Sequence, residues 1–219
     1  MTTRVLLAGA TGLIGRSVDA GLTRRSDIAL TSLKRSGSSG SGQPIDFEYL
    51  CAEPETALRQ VAPEGVDVAI SCLGTTIRAA GSQAAMYRVD HDYVLALAQG
   101  ARALGARQFI LVSSVGAGGS GFYLRTKGTI ERDITALDFA RVDLMRPGML
   151  LGKRTETRLL ESLGQRAVAA LAPLMVGRLS HYKAIPAETV ARAIVQLTGE
   201  EGYGCQTYDN SQITRIACS

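Results

Sequence analysis

The chain opens with a short apolar run, "RVLLAG" (4–9), that ends in glycine, the pattern of a strand buried on both faces. The period then changes. In "GLIGRSVDAGLTRR" (12–25) the apolar residues Leu13, Ile14, Val18 and Leu22 recur at helical spacing. The two patterns alternate from there. Strands are predicted at 27–35, 44–50, 66–74, 107–114 and 139–148. Helices are predicted at 53–62, with proline near its start, at 82–105, stopped by glycine, and at about 121–137, where Ile130, Ile134 and Leu137 form the buried stripe. "SGSSGSG" (36–42) reads as a flexible, low-complexity loop.

Such alternation predicts an α/β fold, a doubly wound parallel sheet with helices on both faces. Beyond 149 the pattern loosens into a polar loop (152–158), helices near 157–170 and at 186–199, and a short, partly β-like tail. The expectation is one domain, 1–219, in which 149–219 form a small C-terminal cover over the substrate side of the crevice.

Composition narrows the class. Hydrophobic residues make up 46% and charged residues 20%, ordinary for a globular protein. The net charge of +4 is mild and the basic residues do not cluster, which argues against nucleic acid as a main partner. Cys51, Cys72, Cys205 and Cys218 lack CxxC spacing, so neither a disulfide scaffold nor a zinc module is expected; Cys72, at a strand end, reads as core. His91 and His181 are the only histidines, read as surface or structural groups, and they make no metal set with the scattered cysteines. No stretch is long and apolar enough to span a bilayer, and the N-terminus lacks a secretory leader pattern. A soluble, cytoplasmic protein with no membrane partner is the expectation, as a monomer or homodimer.

"GATGLIG" places Gly9, Gly12 and Gly15 between the first strand and the first helix. Glycines there permit a tight turn and close approach of a pyrophosphate, and the helix start offers free N–H groups to it. NAD-binding versions carry an acid about 20 residues on. Here Lys34 and Arg35 stand at that position, so NADP(H) is expected over NAD(H), with Arg35 gripping the 2′-phosphate.

"SSVGAGGSGFYLRTK" sets Tyr123 four residues before Lys127, on one helix face. An adjacent ammonium favours phenolate, so the tyrosine can exchange a proton with a carbonyl oxygen as hydride moves. A serine at the preceding strand end, Ser114 or its rival Ser113, can fix that oxygen, and the intervening glycines are expected to let the loop move around substrate.

The motifs "GATGLIGR", "SCLGTT", "YRVDHDYVLALA", "LVSSVGA", "FYLRTKGTIE" and "RPGMLLGKR" resemble those of atypical short-chain dehydrogenases/reductases, more narrowly the Tat-interacting, metastasis-suppressor type of oxidoreductase and its bacterial relatives. The resemblance implies that Gly9, Thr11, Gly12, Leu13, Ile14 and Gly15 line the pyrophosphate and that Arg35 meets the ribose phosphate. It sets Asp46 and Phe47 near adenine, and Leu73, Gly74 and Thr75 near the adenosine ribose. Ser114, Tyr123 and Lys127 match the catalytic trio, with Ser113 as the rival serine. Arg146, Pro147 and Gly148 match the segment beside the nicotinamide. Asp90 stands where such enzymes often carry an asparagine that supports a relay water; it is read here as a solvated helix acid, with service in that relay as the alternative. The implied activity is NADP(H)-dependent oxidation or reduction of a small carbonyl/alcohol substrate. The alternatives are an NADPH-binding regulator acting through a protein partner, and sugar-nucleotide epimerisation, for which the region after 149 is short.

Overall fold

The computed structural model describes residues 2–38, 42–152 and 184–219. Seven parallel strands form the main sheet: β1 (Thr3–Ala8), β2 (Ile28–Arg35), β3 (Gln43–Ile45), β4 (Val68–Ser71), β5 (Gln108–Val112), β6 (Arg141–Met145) and β9 (Gly204–Tyr208). Their order is β3-β2-β1-β4-β5-β6-β9. The chain therefore winds outward from β1 in one direction and from β4 in the other, and the crevice where the order reverses lies beyond the carboxyl ends of β1 and β4. A small parallel pair, β7 (Leu150–Leu151) with β8 (Ile185–Pro186), stands apart from the sheet.

Strand residues point alternately to the two faces, and both faces are apolar, which is why these strands read as continuous hydrophobic runs. Leu6, Ala8, Phe109 and Leu111 face one layer, made of α2 (Phe47–Ala52), α3 (Pro54–Val61), α6 (Tyr93–Ala103) and α7 (Phe122–Thr135). Val5, Leu7, Ile70 and Ile110 face the other, made of α1 (Gly15–Thr23), α8 (Ala187–Leu197) and α9 (Asn210–Ala217). Each fully buried Leu or Ile contributes roughly 1.5–3 kcal/mol. Gly21 and Gly100 admit close packing: a Cβ would stand 2.7 Å from Val195 Cγ2 in the first case and 2.5 Å from the Pro54 carbonyl oxygen in the second.

Three elements differ from the pattern. The run predicted as a strand at 44–50 is strand only to Ile45, because Asp46 caps α2 by accepting hydrogen bonds from the amides of Glu48 (2.8 Å) and Tyr49 (3.3 Å). After a short α4 (Ile77–Ala80), the helix predicted at 82–105 starts as α5 (Gln83–Tyr87), passes through a π-helical turn at Arg88–Asp92, and continues as α6. Its end is as expected: Gly105 takes φ 98° and the Ala106 amide donates back to Ala101. The tail supplies the seventh strand and then α9, started by a capping box of Asp209 and Gln212. So 187–217, expected within the cover, enter the sheet and a helix layer. The predicted helix at 157–170 and His181 lie outside the described residues.

Candidate active site

The turn after β1 is built by mutual exclusion. Gly9 has φ 85°, and a Cβ on it would sit 2.6 Å from the Cys72 carbonyl carbon and 2.9 Å from the Leu73 nitrogen. The Gly12 amide donates to the Gly9 carbonyl at 2.9 Å, closing the turn. A Cβ on Gly15 would run into that same carbonyl, so α1 can begin directly on the turn only with glycine there. The result is a shallow cradle of backbone at a helix start, a fit for a pyrophosphate.

The cradle opens into a cleft of about 450 Å³, within the size range of small-molecule sites. Thr11, Gly12, Leu13 and Ile14 line one wall, and Leu73, Gly74 and Thr75 the next. Ser113, Tyr123, Lys127 and Leu150 of β7 line it as well. The two groups predicted separately, glycine turn and Tyr–Lys pair, thus share one cleft.

Tyr123 and Lys127 lie on α7 one turn apart, the ammonium 5.9 Å from the ring centroid, within cation–π reach. The ring is exposed to the cleft, whereas Lys127 is buried. The charge of Lys127 is met by Asp90, whose Oδ1 lies 2.8 Å from Nζ. The other Asp90 oxygen accepts from the Thr75 amide at 2.8 Å. Asp90 is 1% exposed, which corrects its reading as a solvated helix acid. The π turn brings it inward; a regular helical period through 82–105 leaves no reason to expect this.

The two serines separate. Ser113 lines the cleft, is buried, and its Oγ has no hydrogen-bond partner among the described residues. Ser114 instead donates to the Val115 carbonyl at 3.2 Å and does not line the cleft. The strand end is held by the Ser113 amide donating to Met145 (2.8 Å) and the Val115 amide to Pro147 (2.9 Å).

The glycine-rich loop, expected to move, is tied to α7: the Gly118 amide donates to the Leu124 carbonyl at 2.8 Å, and a Cβ on Gly128 would stand 2.5 Å from Gly118 Cα. Its glycines serve positive φ (Gly116 78°, Gly118 85°, Gly121 93°) and close packing.

Other expected residues lie outside the cleft lining. Asp46 is the α2 cap, and Phe47 is buried, stacked 5.0 Å from the Tyr93 ring. Arg146 pairs in bidentate fashion with buried Glu131 of α7, Nε to Oε1 at 2.9 Å, which ties α7 to the end of β6. Pro147 is buried, and the Gly148 amide donates to Asn210 at 2.8 Å. Lys34 and Arg35 end β2, beside the carboxyl end of β1, with Arg35 exposed. Arg16, Thr76 and Ala79 line the cleft and were not anticipated. Arg16 directly follows Gly15, so its place at the cradle's helix start was open to inference from "GATGLIGR".

Cys72 is half-buried at the cleft, and desolvation pushes its thiol up to about 12, which disfavours the thiolate. His91 is structural: its ring nitrogens lie 2.9 Å from Asp92 and 2.8 Å from Asp133 of α7, and Tyr87 stacks on it at 4.4 Å. No group of metal-ligating side chains occurs among the described residues.

A sheet of this order, with a glycine turn at its point of reversal, defines a Rossmann-type nicotinamide-nucleotide fold. The chain belongs to the NAD dependent epimerase/dehydratase family, which it matches over residues 5–197. This is a family of NAD(P)-dependent oxidoreductases and epimerases. Protein HTATIP2 of Rattus norvegicus is 34% identical over 213 residues, covering 91% of this chain and 83% of its own. The mitochondrial fmp52 protein of Aspergillus fumigatus is 34% identical over 200 residues, covering 87% and 85%. Among solved structures, UDP-glucose 4-epimerase from Bifidobacterium longum, in complex with NAD+ and UDP, superposes with TM-score 0.69 at 16% identity, covering 94% of this chain and 77% of its own. RMD from Pseudomonas aeruginosa, complexed with NADPH, does so with TM-score 0.64 at 18%, covering 99% and 82%. At these identities the likeness is one of fold.

The expected cytoplasmic location is corrected by the relatives: the FMP52 proteins of Eremothecium gossypii, A. fumigatus and Saccharomyces cerevisiae are named mitochondrial. Composition does not distinguish one aqueous compartment from another. Among the described residues no helix is long and apolar enough to cross a membrane.

Proposed function

We propose that the protein is an NADP(H)-dependent oxidoreductase acting on a small carbonyl or alcohol, with Tyr123 as the acid–base. One observation carries this: the exposed Tyr123 ring, with the Lys127 ammonium behind it, faces the same cleft as the Gly9–Gly15 cradle. A nicotinamide nucleotide held in the cleft would supply or accept the hydride. Tyr123 gives its hydroxyl proton to the carbonyl oxygen in reduction and takes it back in oxidation. Ser113, with its unpartnered hydroxyl in the cleft, is the group that holds that oxygen, in preference to Ser114. Lys127 places positive charge behind the phenol. The backbone at Gly9, Thr11, Gly12 and Gly15 receives the pyrophosphate, Leu73, Gly74 and Thr75 bound the adenosine ribose, and Arg35 meets the 2′-phosphate. Residues from 149 on bound the substrate side, a reading supported by Leu150 in the cleft lining.

The test is oxidation of NADPH and NADH, followed by nicotinamide absorbance, against a panel of aldehydes and ketones. Turnover with NADPH is expected; tight binding of NADPH without turnover on any substrate would point to the regulator instead. Arg35→Ala is expected to raise KM for NADPH about tenfold or more, the worth of a charge-assisted hydrogen bond, and to leave KM for NADH unchanged. Equal effects on both nucleotides would show that Arg35 does not read the phosphate.

A further inference from the structure

We propose that the substrate is an uncharged aldehyde or ketone with a compact apolar body, and that Leu150 of β7 is the specificity-determining residue that receives this body. The proposal rests on the oxidoreductase reading above and names the substrate class of the same site.

The charges in the cleft are already committed. Three charged side chains line it among the described residues: Arg16, Asp90 and Lys127. Asp90 and Lys127 stand 2.8 Å apart with side chains 0% and 4% exposed, so their charges meet each other rather than a ligand. Arg16 follows Gly15 at the start of α1, at the turn assigned to the pyrophosphate. On this assignment none of the three is left to meet a carboxylate or a diphosphate on the substrate.

What remains there is largely apolar. Leu13, Leu73, Ala79, Val112 and Leu150 line the cleft. Exposure points the same way. Six large hydrophobic side chains are exposed among the described residues, and four of them, Ile77, Tyr123, Met149 and Leu151, line the cleft or adjoin in sequence a residue that does. Scattered singly, such residues carry no message; gathered around one cleft, they mark a surface that a ligand covers. Ser113 adds one buried hydroxyl without a partner, enough for one carbonyl oxygen. A sugar nucleotide would bring several hydroxyls and a diphosphate against leucine, where each unpaired group loses its hydration without return. The cleft of about 450 Å³ would also admit the nicotinamide end of the nucleotide, so the space beside it suits a compact body.

Leu150 is held in place from both sides. Before it, the Gly148 amide donates to Asn210 Oδ1 at 2.8 Å, and the Met149 carbonyl accepts from the Ile185 amide at 2.8 Å. Leu150 itself pairs in register with Ile185 and packs against the core on the α1 side of the sheet. Beyond it, a Cβ on Gly152 would stand 2.6 Å from Leu13 Cδ1, so the segment closes onto the nucleotide turn. Leu150 is therefore a preformed wall, as ligand clefts commonly have.

Two series on the full chain test this. N-alkylformamides keep the carbonyl of an aldehyde and are not reduced. The series from N-methyl to N-hexyl is titrated calorimetrically into the chain alone and into the chain with NADPH. Affinity is expected to rise about two- to fourfold per methylene over the first members, as each methylene leaves water. In the kinetic arm, kcat/KM for NADPH-dependent reduction is expected to rise by about the same factor per methylene from propanal to hexanal. It should be about tenfold or more higher for pentanal than for succinic semialdehyde, which ends in a carboxylate and finds no partner. Leu150→Ser is expected to cut the increment per methylene by about half or more in both series.

A flat formamide series in the wild type overturns the proposal, whatever the activity. So does faster reduction of succinic semialdehyde than of pentanal, or tighter binding of UDP-glucose than of every formamide. An unchanged increment in Leu150→Ser overturns the assignment to Leu150, and the wild-type series stands as a test should that variant fail to fold. Formamide affinity that rises along the series in a chain that reduces no carbonyl would sink the oxidoreductase reading and still support the apolar subsite.

Discussion

Tyr123→Phe is expected to lower kcat for carbonyl reduction roughly 100- to 10,000-fold, the usual contribution of a positioned acid–base group. NADPH affinity should change less than threefold. The reasoning is local. The ring is exposed to the cleft, so removing its hydroxyl leaves no buried group unpaired and no cavity. The Lys127 ammonium lies near the ring face, a contact that phenylalanine retains. Fold and nucleotide cradle are therefore expected to survive, and the lost atom is the one to which the proposed function assigns the proton. A variant that keeps wild-type kcat would show that the proton comes from elsewhere in the cleft.

Gly9→Ala is expected to remove nucleotide binding and to lower stability by roughly 2–5 kcal/mol, measured as a shift in the urea midpoint. Two costs add. A left-handed φ of 85° costs a residue with a Cβ about 1–2 kcal/mol. Crowding adds about 1–3 kcal/mol, because the new atom would sit 2.6 Å from the Cys72 carbonyl carbon and 2.7 Å from its oxygen. The atoms it meets are backbone of β4's end, which cannot rotate away. Relief requires β1 and β4 to separate at the crevice, where the pyrophosphate is placed. Wild-type stability together with wild-type NADPH affinity would mean the turn is neither tight nor at the nucleotide.

Most of the sheet was legible because parallel strands buried on both faces read as uninterrupted apolar runs, and the helices between them keep a single stripe, such as Ile130 and Ile134. What misled was local. "PIDFEYL" has the composition of a strand, but Asp46 stops it by capping a helix. β9 is an exposed edge strand, so its sequence, Gly204–Tyr208, lacks the apolar signature of β1, β4, β5 and β6. That the glycine turn and the Tyr123–Lys127 pair share one cleft was within reach because each is set by spacing along one stretch of chain. Asp90 was not: a π turn changes which face a residue presents, and hydrophobic periodicity averages over such a shift. The choice between Ser113 and Ser114 was equally beyond pattern, since both stand just past the end of β5, and the fold lines the cleft with the first and turns the second to the Val115 carbonyl. Arg146 was placed beside the cofactor by resemblance, but the acid that occupies it, Glu131, lies 15 residues away in sequence on the buried face of α7.

The claim on which the rest depends is that the turn after β1 receives a nicotinamide nucleotide. Isothermal titration of the wild-type chain with NADPH tests it most directly. The account predicts saturable heat with one nucleotide bound per chain, and weaker binding of NADH. Absence of binding by both reduced nucleotides would contradict it.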